Sequence, residues 1–156
     1  MSVKATVQKQ YQTKVDQAAL AVTCELQHPP EGWIATVRKA LGISAAQLGR
    51  MVGRTRANIS AAERSEQNDR ITLQTMHTLA EAMGCKFVYA IVPAQGSIED
   101  VLKMRAREKA RRIVSRASTH MALEKQSLTS GQIEDQIERL ALELLRNPPS
   151  DFWEDE

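Results

Sequence analysis

The chain has 156 residues, the size of one domain or of a small domain with added helices, and its 42% hydrophobic content suffices for a core. With only two Trp, two Tyr and two Phe, that core must be aliphatic. The apolar runs are too short to cross a bilayer and the N-terminus lacks a signal-type apolar stretch, so a soluble, cytoplasmic protein with no membrane partner is expected. The net charge of +2 hides segregated blocks: residues 32–70 hold seven Lys/Arg and three acids, 101–116 seven and one, and 132–156 two and eight.

In chain order, Val7, Tyr11, Val15, Ala18 and Val22 recur at helical spacing and predict an amphipathic helix over 3–22. "HPPEG" breaks the chain at 28–32, and Trp33 behind it is expected to anchor the next helix in the core. Three short helical segments follow, "WIATVRKALG", "SAAQLGRMVG" and "TRANISAAER", with Ser44 and Thr55 placed as N-caps. Thr72 caps another helix, closed by Gly84.

The period then changes. "CKFVYAIVP" alternates Phe87, Tyr89 and Ile91 against Val88, Ala90 and Val92, which predicts a strand with two apolar faces. The chain offers this strand no mate, and an unpaired edge is a liability, so pairing with a second copy is expected. From Ser97, a helix aligns Ile98, Val101, Leu102, Ala106, Ala110, Ile113, Val114, Ala117 and Met121. A last one, over about 130–146, aligns Ile133, Ile137, Leu140, Ala141 and Leu144 before Pro148 and Pro149.

The segments around residue 50 fit the needs of a helix-turn-helix: two short helices, a tight turn beginning at Gly53, and a polar outer face. Leu48, Val52, Ile59 and Ala62 would turn inward. That leaves Arg56, Ala57, Asn58, Ser60 and Ala61 to face bases in a major groove. Ser44, Arg50, Arg54, Thr55, Arg64 and Arg70 would hold phosphates around them.

"ALGISAAQLGRMVG", "ISAAE" and "TLQTMHTLAEAMG" resemble the Xre-type, lambda-repressor-like DNA-binding domain over about residues 33–84. The resemblance implies an ion pair between Arg38 and Glu63, at the end of the recognition helix. It also implies a polar, phosphate-binding residue where this chain has Ala45. The longer pattern "PPEGWIATVRKALGISAAQLGRMVG…ITLQTMHTLAEAMGCKFVYAIVP" is similar to the family called mobile mystery protein A. That similarity implies a gene beside one for a Fic-domain protein, in a toxin–antitoxin-like arrangement.

The expected fold is therefore mainly α: a lambda-repressor-like helix-turn-helix bundle with an N-terminal helix, one β-strand paired across a dimer, and C-terminal helices. The expected divisions are 1–31, an N-terminal helix and linker; 32–84, the DNA-binding domain; 85–93, the dimerisation strand, with Phe87, Val88, Tyr89, Ala90 and Ile91 at its centre; and 94–156, the helical extension. The expected function is a dimeric, sequence-specific repressor of double-stranded DNA, antitoxin-like and autoregulating an operon with a Fic-domain partner. The alternative is an inhibitor of a Fic-type enzyme, with DNA binding secondary. Fic inhibitors carry a Ser/Thr-xxx-Glu-Gly/Asn helix; the nearest matches, Ser130 with Glu134 and Ser150 with Glu154, are each followed by Asp.

No nucleophile–base pair, phosphate-binding glycine loop or metal-ligand set is evident, so neither enzyme activity nor a cofactor is expected. His28, His77 and His120 are scattered, and Cys24 and Cys85 read as free thiols in a reducing compartment. Three readings of "KMRAREKARR", 103–112, stay open: pairing with the acidic helix or tail, DNA phosphate contact, or docking of an acidic partner. Phe152 and Trp153 fit either partner docking or packing back on the last helix.

Overall fold

The computed structural model describes residues 2–22, 26–123 and 128–155, which leaves Cys24 outside. Among the described residues there are seven helices and no strand: α1 Val3–Ala21, α2 Trp33–Ala40, α3 Ala45–Met51, α4 Arg56–Gln67, α5 Leu73–Ala82, α6 Ile98–Leu123 and α7 Ser130–Arg146. The chain is mainly α, and no described helix is long and apolar enough to cross a membrane. Two compact units form, residues 22–90 and residues 1–21 with 91–156. The N-terminal helix thus groups with the C-terminal helices.

In the unit of residues 22–90, α2 to α5 close around Ile34, Leu48, Ile59, Met76, Leu79 and Met83, with Val52 and Ala62 partly buried beside them. The expected caps form. Ser44 and Gln47 make a reciprocal capping box, and the Thr55 and Thr72 hydroxyls accept from the N–H groups of Asn58 and Thr75. Helix α2 is capped differently. Its N-cap is Gly32 and offers no side chain. Instead the Glu66 carboxylate, reaching across from α4, accepts from the N–H groups of Trp33 at 2.5 Å and Ile34 at 3.0 Å. Glu66 is only 5% exposed. Gly32 makes room for it, since a Cβ there would sit 2.8 Å from the carboxylate, and its φ of +85° also favours glycine.

One expectation needs correction here. Trp33 is not a core anchor: it is 37% exposed, and Ile34 takes the buried position. As the first residue of α2, Trp33 lies edge-on to His28, with ring centroids 6.1 Å apart. Residues 85–93 form no strand in the described chain. The only backbone N–H bond there is Cys85 to the Ala80 carbonyl, at 2.8 Å. A ladder needs a second extended segment, and the expected mate is a second copy of the chain. Cys85 is a free, exposed thiol.

In the other unit, α6 and α7 pack as a hairpin whose buried residues are Ala106, Ala110 and Val114 on one side and Ile137, Ala141 and Leu144 on the other. The alanines allow close approach, while Ile113 and Ala117 of the expected stripe are exposed. Helix α1 buries no residue, although Asp16 accepts from the Ile98 N–H at 3.0 Å and so caps α6. The basic run of α6 is largely paired within the chain. Arg107 meets Glu134 and Glu138 at 2.7 and 2.9 Å, Lys109 meets Asp151 at 3.0 Å, and Asp155 receives both Arg105 at 2.8 Å and Arg112 at 2.6 Å. Arg105 also donates to the Phe152 and Glu154 carbonyls. Phe152 packs back into the core at 3% exposure, whereas Trp153 stays 60% exposed.

Two predictions follow from these contacts. Glu66→Ala leaves one buried and one part-buried N–H group without an acceptor and should destabilise its unit by about 3 kcal/mol. Glu66→Gln, which keeps one acceptor oxygen, should recover part of that loss in urea unfolding. The second concerns the tail. Hydrogen bonds from Arg105 and Arg112 hold the Asp155 carboxyl below its usual range, and Lys109 does the same for Asp151. A lowered folded-state value stabilises above the unfolded value near 4 and is lost as pH falls through the folded one. Urea stability should thus be level from about pH 7 to 5 and fall below about pH 4, with a smaller fall in the Asp151→Asn/Asp155→Asn double variant.

Candidate nucleic-acid interface

Helices α3 and α4 are joined by residues 52–55, and the turn is set by backbone contact. The Arg54 N–H donates to the Gly49 carbonyl at 2.7 Å. A Cβ on Gly49 would lie 2.6 Å from the Arg54 carbonyl oxygen, a backbone atom that cannot swing away. Gly49 is therefore what lets the chain fold back so tightly. Gly53 supplies the positive φ, +68°, that the turn also requires.

Burial fixes how α4 is rotated about its axis. Ile59 is fully buried, Glu66 is buried, and Ala62 and Glu63 are partly so; all four share one face. At 100° per residue the opposite crest carries Ala57 and Ala61, flanked by Ser60 on one side and Asn58 on the other, while Arg56 in the first turn lies only about 60° round from Ile59. Arg56, Ala57, Asn58 and Ala61 are exposed, and Ser60 is half-buried. Small residues on the crest allow close approach to another surface, and the flanks carry the donors. Four of the five expected base-facing residues, Ala57, Asn58, Ser60 and Ala61, thus share the outer side of α4, and Arg56 extends from its first turn nearer the buried face.

Arg50, Arg54, Arg64 and Arg70 are also exposed. With Arg56 they make five arginines that form no ion pair among the described residues. This contrasts with α6, where carboxylates answer most of the cations. Ser44 and Thr55 use their oxygens as acceptors in capping, which leaves each hydroxyl hydrogen free to donate. Ala45 contributes no donor and packs against the core instead.

Arg38 and Glu63 form the expected pair. Nε meets Oε1 at 2.7 Å, Nη2 meets Oε2 at 3.4 Å, and Nη1 donates to the Ile43 carbonyl at 3.1 Å. Both side chains are 14% exposed, so this is a partly buried clamp between α2 and α4. Beside it, Lys39 hydrogen-bonds Glu31 and holds that carboxyl below its usual range. Glu66 and Gly49 escaped the sequence reading. The only hint of Glu66 was a helix that begins at glycine with no capping side chain.

Of the two Fic-inhibitor-like matches, Ser130 opens α7 and Glu134 lies one turn further on, paired to Arg107. Ser150–Glu154 lies in a turn after that helix. No protein-family model, curated protein or solved structure matches the chain.

Glu63→Ala should strand the Arg38 guanidinium and lower stability by on the order of 3 kcal/mol. An unchanged melting temperature would mean that solvent compensates for the missing carboxylate.

Proposed function

We propose that the chain is a sequence-specific, DNA-binding transcriptional repressor that acts as a homodimer, with α3 and α4 as a helix-turn-helix of the lambda-repressor-like kind. One observation carries this reading: α4 offers an alanine crest with polar flanks, and five exposed arginines of α3, α4 and the adjoining loops form no ion pair among the described residues. Arginine unpaired within the chain is available to phosphate, and each neutralised phosphate releases counterions and strengthens binding. Arg56, in the first turn of α4, has the reach and the fork geometry for guanine O6 and N7. Asn58 and Ser60 supply shorter hydrogen bonds, and Ala57 and Ala61 suit thymine methyl contact. Arg50, Arg54, Arg64 and Arg70, with the Ser44 and Thr55 hydroxyls, set register on the backbone. In a dimer the half-sites are centred about 10 base pairs apart, or a multiple of that.

The resemblance to mobile mystery protein A extends the proposal to an antitoxin-like repressor, autoregulating an operon that also encodes a Fic-domain protein. Its support is the motif pattern in the sequence.

The test is a binding titration on the chain's own promoter at two salt concentrations. Arg56→Ala should cost roughly 1–3 kcal/mol and relax preference at one base pair per half-site. Arg70→Ala should weaken all sequences alike and reduce the salt slope by about 1. Wild-type affinity in Arg56→Ala would remove α4 from the groove.

A further inference from the structure

The unit of residues 22–90 holds an apolar groove of about 560 Å³, on whose lining Trp33, Val37, Met76, Phe87, Val88 and Tyr89 meet. One wall is the segment 85–90, which belongs to no helix or strand. Phe87 and Tyr89 stack with centroids 5.7 Å apart, and His77 of α5 meets Phe87 edge-on at 5.2 Å. That wall is ordered by its aromatic contacts but not by backbone pairing, since none of the N–H groups from Lys86 to Ala90 bonds to another described backbone group. Its apolar side chains also face water, Val88 at 71% and Tyr89 at 64% exposure. An open edge and an open apolar groove therefore lie side by side.

We infer that the occupant is a second copy of this chain, its 85–90 segment pairing antiparallel with the same segment of the first. The inference rests on the homodimer reading above and gives that dimer its interface. Three observations favour this occupant. A backbone edge calls for an extended mate, and no other extended apolar segment of this length stands among the described residues. Pairing two identical strands about a two-fold axis is necessarily antiparallel and self-complementary. Finally, beside the Glu66 carboxylate held by the α2 N–H groups, the groove offers two complementary charges: Lys86 and Asp69 both line it, and neither forms an ion pair among the described residues. Across a two-fold axis each copy's Lys86 meets the other's Asp69, twice per dimer. Covering Tyr89, Val88, Trp33, Leu73 and Leu26 removes on the order of 500 Å² per copy, which brings the total to the about 1,000 Å² a specific interface needs.

The experiment uses the full chain without DNA, with mass measured by light scattering across 1–100 µM. The wild type should be a dimer. Lys86→Glu and Asp69→Lys each place like charges together twice, and each should weaken the dimer at least tenfold while circular dichroism stays unchanged. Mixing the two variants should restore a heterodimer, because both of its charge pairs are then opposite. Pairing within one chain cannot produce that rescue. Val88→Pro, which removes one N–H from the edge and keeps an apolar side chain, provides an independent check on the backbone ladder when paired with Tyr89→Pro. Only alternate N–H groups face the partner, so one of these two variants should dissociate the dimer. A monomeric wild type at 100 µM overturns both this interface and the homodimer, and leaves the groove to a different apolar partner. A wild-type dimer that survives all four variants overturns the interface alone.

Discussion

The carboxylate of Glu66 is the contact on which the DNA-binding reading depends most. It sits on the inner face of α4, yet the groups it satisfies belong to the first turn of α2. A helix N-terminus carries partial positive charge, so a carboxylate there is stabilised by both hydrogen bonds and dipole. That compensation lets the side chain lie at 5% exposure with no ion pair to a cation among the described residues. One turn back along the same face, Glu63 is held by Arg38, again from α2. Two acids three residues apart, each tied to α2, prevent α4 from rotating about its axis. Because Ile59 and Ala62 share this inner face, the crest of Ala57 and Ala61 has no choice but to face outward.

Gly49 imposes the companion constraint. It sets the distance between α3 and α4, because its hydrogen-bonded approach to Arg54 leaves no space for a side chain. The angle of α4 is thus held at its start by a backbone turn and along its inner face by two carboxylates. No apolar contact has comparable directionality. The aliphatic core supplies the cohesion, while hydrogen-bonded polar groups supply the orientation.

This division explains what could be read in the sequence. Caps were legible because a Ser or Thr at a helix start acts on N–H groups two or three residues away. The α6–α7 hairpin was legible in the spacing of Ala106, Ala110 and Val114 against Ile137, Ala141 and Leu144. Glu66 was not, since its partners lie more than thirty residues away and a lone Glu in a polar helix looks like a solvated one. Trp33 misled for the opposite reason: a large apolar residue at a helix start suggests burial, but the adjacent Ile34 points inward. The segment 85–93 has the alternation of a strand, but alternation gives only the faces of an extended chain; the ladder depends on a mate.

The two basic blocks show why charge must be read together with its partners. By count alone, 101–116 is more cationic than 32–70. On α6, however, Arg105, Lys109 and Arg112 recur every three to four residues along a single face, and the tail from Asp151 to Asp155 lies along it. These pairs add little stability individually at such exposure; their effect is to cancel the field that a polyanion would meet. Around α4 the acids are turned inward, where α2 consumes their charge, and the arginines are left outside without them. Burying Glu63 and Glu66 therefore orients the helix and also removes two negative charges from the face that a phosphate backbone would approach. An exposed carboxylate at either position would oppose that approach, so one structural choice serves both orientation and electrostatics.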